Sequence, residues 1–237
     1  MPRRGDDLDL GAALSVPPDR ATDFMASVWA WMAGGVLISA AAAWSAAYLP
    51  AVSRALFTDQ GLTGVGWMVT LAPLLIVLTL SASITRLSPA VAAMMFLSYA
   101  ALVGLSLGGL VMAYSGHDLA LALVCVAAGF GVMAALGAVT RIDLGGLGVF
   151  MTMSVVTLLL AMVANLFLRS SPLDLAICAM GALIFAGLTA FDVQRLRRLA
   201  AEGWNGAPRP AVMGGLTLYL DLLNLFLFAL RLTGRRR

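Results

Sequence analysis

The stretch LTLYLDLLNLFLFALRL, residues 216–232, decides the fold of this chain. It is apolar over a length close to the ~20 residues that a helix needs to cross a bilayer, yet it carries Asp221 in its first half. A carboxylate at mid-bilayer costs roughly 2.5–3.5 kcal/mol on insertion scales, so an acid there rarely persists without a purpose. A second acid, Asp192, directly follows another apolar run in GLTAFDVQRLRR, residues 187–198.

The composition identifies an integral membrane protein. Of the 237 residues, 61% are hydrophobic and 11% are charged, whereas a soluble domain carries about 25% charge. Seven apolar windows follow one another along the chain, and barrel strands are an unattractive alternative because these runs do not alternate over ~10 residues. We therefore predict an all-α membrane protein with seven transmembrane helices, at about 28–49, 66–84, 91–113, 119–139, 147–168, 173–191 and 213–231.

The chain divides into a flexible polar N-terminal tail (1–24), a seven-helix transmembrane domain (25–234) and a basic C-terminal tail (235–237). Acids rather than a basic region precede the first window, which favours a retained helix over a cleaved signal. The connections are short, so no room remains for a separate soluble domain. Gly104 and Gly108 form a small-xxx-small pair that predicts close helix packing.

The arginines predict a cytoplasmic N-terminus. Before the C-terminal tail, nine arginines fall on the side of the N-terminus and two, Arg54 and Arg169, on the other. If the seventh window crosses fully, Arg231 and Arg235–Arg237 raise the second number to six. If it re-enters, they join the cytoplasmic set, and the sequence leaves both possibilities open.

Other chemistry has little support in the sequence. Cys125 and Cys178 lack a CxxC spacing, which argues against a disulfide or zinc site, and His117 has no partners for a metal site or a Ser-His-Asp triad. The arginine clusters beside the spans favour lipid headgroups over nucleic acid. An intramembrane aspartyl protease would require a Gly-x-Gly-Asp motif where this chain has LYLD, so we expect no enzymatic activity and no cofactor.

The two acids are the candidate site. Since the 193–212 loop returns the chain to the same surface, Asp192 and Asp221 could face each other and share one proton, because two carboxylates in a poorly hydrated place do not both ionise. Asn224 adds an amide one turn away, and Arg86 closes the second window on the same side. Ca²⁺ prefers 6–8 oxygens, so we expect a transient, water-assisted calcium site at the two acids rather than a tight cage.

Plainer alternatives exist for two of these residues. Asp192 could lie among the headgroups and pair with Arg195, three residues further along the same helix face. Arg86 could be an ordinary interface arginine whose side chain extends toward the headgroups.

Four stretches together resemble the Bax inhibitor-1 family (the transmembrane Bax inhibitor motif proteins) in its bacterial YccA-like branch. They are RLSPAVAAMMFLSYAALVGLSLGGL, ANLFLRSSPLDLAI, GLTAFDVQRLR and LTLYLDLLNLFLFALRLTG, in the family's order from about residue 25 to the end. The resemblance implies a seven-helix fold whose central seventh helix is surrounded by the other six.

The resemblance also implies a function. Several members are described as pH-sensitive calcium leak channels gated by an aspartate pair from the sixth and seventh helices. The matching positions are Asp192, in an aromatic-Asp-x-Gln motif, and Asp221, in a Leu-Tyr-Leu-Asp motif. A second-helix arginine is described as holding the pair when the channel is closed, and Arg86 is the candidate here. The second-helix glutamate of some members is absent from GWMVTLAPLLIVLTL, and Val193 replaces the usual threonine.

The expected function is therefore a pH-sensitive calcium leak channel of the bacterial inner membrane, with the lipid bilayer and the calcium ion as its partners. The alternative is a contact modulator of a membrane-bound ATP-dependent protease, because other bacterial relatives are described in that way. The polar segment Met1–Asp23 would then be what the protease contacts.

Overall fold

The computed structural model describes residues 18–83, 87–202 and 207–234. Helices account for almost all of this part of the chain, and one two-stranded hairpin interrupts them. In chain order the elements are α1 (Pro18–Tyr48), α2 (Pro50–Leu56), β1 (Phe57–Thr58), β2 (Gly61–Leu62), α3 (Gly64–Ser83), α4 (Pro89–Ala113), α5 (Gly116–Val139), α6 (Gly145–Leu168), α7 (Ser171–Ala201) and α8 (Pro208–Thr233).

Each of the seven predicted windows coincides with a long helix: α1 and α3 to α8. Six of these helices are long and apolar enough to cross a membrane, and α3 contributes a shorter apolar stretch, Gly64–Thr79. Helices satisfy every backbone hydrogen bond internally, which is why apolar runs of this length fold this way in lipid. The prediction of a multi-pass helical protein is confirmed.

Two helix ends differ from the prediction. The first helix begins at Pro18, so residues assigned to the polar tail belong to α1, and Phe24 is completely buried. The sixth segment was expected to end at 191, yet α7 continues to Ala201. The expected loop 193–212 is therefore wrong: helix occupies 193–201, and α8 begins at Pro208. The apolar run ends where the arginines begin, and the prediction ended the helix there. Arginine, leucine and alanine are all good helix formers, so the helix continues beyond the apolar run.

The connection between α1 and α3 contains structure that the sequence did not predict. Helix α2 leads into a hairpin in which β1 and β2 pair antiparallel, with Phe57 opposite Leu62. Gly61 closes the hairpin at φ +128°, a conformation that only glycine adopts readily. This hairpin shapes the connection without adding a domain.

Helix α8 is the best buried of the spans. It packs against α1, α4, α5 and α7, whereas α3 packs on α4 and α6 packs on α7. Of its most apolar window, 56% is buried, a larger share than in any other described span. Each of the four buried apolar clusters contains at least one α8 residue, including Leu218, Tyr219, Phe228 and Leu230. The core of the bundle is therefore built around α8.

The structure also answers the question of how α8 ends. Early in α8, Gly215 lies against Trp31 of α1. At its other end, Arg231 pairs with Asp174 in the first turn of α7. We call the end of the bundle where α1 and α8 begin the near end, and the end where α7 begins and α8 ends the far end. Helix α8 runs from one to the other, so the seventh segment extends through the whole length of the bundle and does not turn back.

Candidate functional site

Asp192 of α7 and Asp221 of α8 meet in the interior of the bundle. Their residues are 8% and 4% exposed, which makes them the only acids among the buried residues of the described chain. The two carboxyl groups lie near enough to interact directly, and among the described residues the buried Asp221 Oδ2 has no hydrogen-bond partner. The arrangement therefore brings two buried carboxyl groups of adjacent helices together.

Small residues let neighbouring helices approach α7 closely beside this pair. A Cβ at Gly137 of α5 would lie 2.1 Å from the carbonyl oxygen of Ala190, and one at Gly148 of α6 would lie 2.4 Å from the Phe191 ring. Neither position tolerates a side chain, so both helices rest directly on the turn of α7 that precedes Asp192. This packing fixes the rotation of α7 and keeps its acid directed at α8.

Tyr219 fixes the rotation of α8 through contacts on the side of the helix away from α7. The Ser39 hydroxyl of α1 donates to the Ala100 carbonyl of α4 at 2.7 Å, which leaves its oxygen to accept from the Tyr219 hydroxyl at 2.7 Å. The Tyr219 ring also packs edge-on against Phe96, with centroids 5.6 Å apart. Two residues along a helix turn the side chain by about 200°. Tyr219 therefore faces α1 and α4 while Asp221 faces α7.

The alternative placement of Asp192 among headgroups does not agree with its burial. Arg195 lies near enough to interact electrostatically with Asp192, but the Arg195 side chain is exposed and the carboxyl group itself contacts Asp221. Arg86 lies outside the described residues. Its proposed contact with the acid pair stays a prediction.

Asn224, one turn after Asp221 on α8, lines a cavity. Its Nδ2 donates to the Leu220 carbonyl at 2.8 Å, and among the described residues no hydrogen bond joins it to either aspartate. The cavity has a volume of about 340 Å³ and lies between α4, α6, α7 and α8. Its lining is apolar apart from a few polar groups, which include Asn224 and Arg231.

Asp192 and Asp221 are the residues that could hold a cation. Within the described ranges, no group of three or more His, Cys, Asp or Glu side chains is placed to hold a metal ion. Two carboxyl groups supply at most four oxygens, fewer than the 6–8 that Ca²⁺ takes, so water would have to complete the shell. Such a site binds a cation transiently.

The residue that sequence reasoning missed is Gln194, two positions after Asp192. It is 7% exposed, donates to the Ile142 carbonyl at 2.8 Å and accepts from the Leu144 N–H at 2.9 Å. Arg198, one turn further on, donates to Gln194 at 2.9 Å and to Asp143 at 2.7 Å. The α5–α6 connection is thereby attached to the helix that carries Asp192. The only local signal was the glutamine of the aromatic-Asp-x-Gln motif.

Asp143 is the charged anchor of this connection. The Gly145 N–H first, and then the Arg198 guanidinium, hold the pKa of this exposed carboxyl below its ordinary value. A carboxyl whose folded pKa is depressed stabilises the fold fully above its unfolded pKa, and this contribution is lost as pH falls through the folded pKa. The attachment is therefore complete at neutral pH and weakens only in acid below about pH 4.

A bundle of helices with membrane-spanning length and two contacting acids buried between two of them defines a multi-pass membrane protein with an intramembrane carboxyl pair. The chain matches, over residues 21–237, the family described as "Inhibitor of apoptosis-promoting Bax1". It therefore belongs to the Bax inhibitor-1 family, and the resemblance found in its motifs is confirmed.

Similar proteins occur in several bacteria. Inner membrane protein YbhL of Escherichia coli K12 is 38% identical over 218 residues, which cover 90% of this chain and 92% of YbhL. A protein of Deinococcus radiodurans is 41% identical over 220 residues, covering 92% of this chain and 93% of the relative. A protein of Caulobacter vibrioides is 34% identical over 248 residues, covering 98% of this chain and 99% of the relative.

Proposed function

We propose that this protein is a pH-sensitive cation leak channel of the inner membrane, passing Ca²⁺ and gated by Asp192 and Asp221. The observation that carries the proposal is the pair itself: two buried carboxyl groups lie close together on adjacent helices, and Asp221 Oδ2 has no hydrogen-bond partner among the described residues. Leaving a buried acceptor unpartnered costs about 1–3 kcal/mol. A purely structural pair has no reason to retain that cost, whereas a site that receives a cation or a basic side chain has one.

The proposed gate works through the charge of the pair. With one proton the pair carries a single negative charge, its hydrogen bond joins α7 to α8, and a hydrated cation can bind transiently and leave. With no proton the pair carries two negative charges close together, which attract a basic side chain strongly in a poorly hydrated place. Arg86 is the proposed partner in that closed state. Flux should therefore rise as the pH falls.

The proposal includes the position of the protein in the membrane. Burial of α8 against four other helices supports its role as the central helix of seven. The name of the YbhL relative supports the inner membrane. The distribution of arginines along the sequence, nine on the predicted side of the N-terminus against six on the other if α8 crosses, supports a cytoplasmic N-terminus.

The test is calcium flux into liposomes that contain the purified protein, measured between about pH 6 and pH 8, because the proposed gate depends on the charge of the pair. Wild-type flux should increase toward pH 6. Asp192→Asn and Asp221→Asn imitate the protonated acids, so each should lose the pH dependence and leak at pH 8. Asp174→Asn removes an acid of α7 far from the pair and should keep the pH dependence. A pH dependence that survives both substitutions would contradict the gate.

A contact modulator of a membrane-bound ATP-dependent protease is the alternative. The segment it would use, Met1–Asp23, lies mostly outside the described residues, so no described contact favours it. Absence of calcium flux at every pH would contradict the channel function and leave the contact modulator as the remaining proposal. Unchanged flux after deletion of residues 1–17, together with lost protease regulation, would instead show that the two functions use separate parts of the chain.

A further inference from the structure

The contact face of α7 and α8 has charged groups at both of its ends. We call this face the α7–α8 seam. The helices run antiparallel. Asp192 and Asp221 lie in the half of the seam toward the near end, and Asp174 and Arg231 lie at the far end. Asp221 and Arg231 are ten residues apart on α8, a distance of about 15 Å along the axis. The acid pair and the ion pair therefore belong to one line through the bundle.

The cavity of about 340 Å³ lies along the far half of this seam. Asn224 lines it one turn from Asp221, and Arg231 lines it two turns further on. A water molecule occupies about 30 Å³ of liquid, so this volume is large enough for a hydrated cation. Phe228 lies between the two polar side chains, and its ring packs on Gly181 of α7 and stacks on Phe185 at 5.9 Å between centroids.

We propose that the Arg231–Asp174 ion pair sets the charge selectivity at the far mouth of the cation path. The inference rests on the proposed channel function and adds a specificity-determining pair to it. When paired, the guanidinium and the carboxylate cancel each other, so the mouth is close to neutral. Arg231 without Asp174 would repel cations from the cavity, and Asp174 without Arg231 would concentrate them there.

The exposure of the pair argues against a purely structural role. The Arg231 and Asp174 side chains are 35% and 43% exposed, and pairs of this kind contribute little to stability. The start of α7 has its own cap, because the Ser170 hydroxyl accepts from the Leu173 N–H. Both charged groups therefore remain accessible to ions, and one of them, Arg231, lines the cavity.

The experiment compares Ca²⁺ and K⁺ flux through wild type, Arg231→Gln, Asp174→Asn and the double variant in liposomes. Arg231→Gln should raise Ca²⁺ flux by at least about threefold and Asp174→Asn should lower it by a similar factor, since a fixed charge at a mouth changes the local cation concentration. The double variant should return close to wild type. K⁺ flux should change less than Ca²⁺ flux in each variant, because the ion carries half the charge.

Salt provides the readout that a structural role would not move. The Debye length falls from about 10 Å at 0.1 M to about 3 Å at 1 M ionic strength, so the differences between variants should shrink at high salt. The controls are Arg231→Lys, which keeps the charge, and Arg169→Gln, which removes an arginine from the α6–α7 connection at the same end. Both should match wild type.

Three results would overturn the inference. Equal changes in Ca²⁺ and K⁺ flux that persist at high salt would show that the ion pair acts only by holding α7 and α8 together. Flux that changes in the Asp192 and Asp221 variants but not in the Arg231 variants would contradict the selectivity role of the ion pair and leave the proposed channel function intact. Absence of flux through wild type would reject the channel itself, and the selectivity role with it.

Discussion

At the scale of single residues, Gln194 explains how α7, the helix that carries Asp192, is held at the near end. Its buried amide forms one hydrogen bond in each direction with the backbone of the α5–α6 connection, at Ile142 and Leu144. Both backbone groups rely on this side chain, since removing one partner of a buried hydrogen bond leaves the other with its full desolvation cost. Any motion of α7 that carries Asp192 must therefore move this connection or break these bonds.

Gln194→Leu keeps the size of the side chain and removes both hydrogen bonds. The connection should open more often, by a free energy of about 1–3 kcal/mol, and trypsin should cleave after the exposed Arg141 roughly 5- to 150-fold faster where cleavage tracks opening. The measurement is the initial cleavage rate in detergent micelles. Glu202→Gln, an exposed change further along the chain, serves as the control. A wild-type rate in Gln194→Leu would show that other contacts hold the connection.

The sequence could predict the two acids but not this glutamine. A carboxylate inside an apolar run is expensive wherever its partner lies, so Asp192 and Asp221 attract notice without a structure. A glutamine next to arginines is unremarkable until its partners are known, and those partners are 52 and 50 residues away. Contacts of that separation depend on which helices pack together, and a single sequence does not specify that packing.

At the scale of the helices, α1 and α4 lie against each other through glycine. The sequence predicted close packing at Gly104 and Gly108, and a Cβ at either position would lie 2.4 Å from α1, at the Ser39 carbonyl oxygen and the Ala46 Cβ respectively. The α1 groups that meet Gly104 belong to the same turn as the Ser39 hydroxyl that orients Tyr219. Helix spacing therefore also determines how α8 presents its acid.

Gly104→Ala should destabilise the protein, because the methyl group meets a backbone oxygen that cannot rotate away. Overpacking of this kind costs about 1–3 kcal/mol. Gly129→Ala is the matched control: it lies within α5 with nothing within 4 Å of its Cβ position, so alanine there should be neutral or stabilising by up to about 1 kcal/mol. Thermal unfolding in detergent would compare them. Equal midpoints would show that α1 and α4 can separate freely.

The positions of the helices could be predicted from hydropathy, whereas some of their ends could not. Lipid requires a helix wherever about twenty apolar residues follow one another, and this requirement located all seven long helices. Outside the apolar core, water can satisfy the backbone groups, so helix propensity and capping determine where the helix ends. The near end of α7 illustrates this, since the helix continues through Arg195 and Arg198 to Ala201 after its apolar run has ended.

At the scale of the whole molecule, α8 connects the two ends of the bundle and organises its interior. It starts beside α1 at the near end, contributes to all four buried apolar clusters and finishes beside Asp174 at the far end. Asp221 and Arg231 are therefore parts of one helix, and the pairs that they form with Asp192 and Asp174 of α7 respond together if α8 moves. A seventh segment that turned back halfway could not form one continuous helix from Pro208 to Thr233.

This crossing predicts opposite accessibility for Glu202, at the near end, and Thr233, at the far end. In a chain from which Cys125 and Cys178 have been removed, Glu202→Cys and Thr233→Cys would each supply a single thiol at an exposed position. With a cytoplasmic N-terminus, a membrane-impermeant thiol reagent should label Thr233→Cys in intact spheroplasts and Glu202→Cys only after permeabilisation. The chain without cysteine controls for background labelling. Labelling of both thiols from one side would contradict the full crossing of α8, while a reversed pattern would keep the crossing and reverse the orientation.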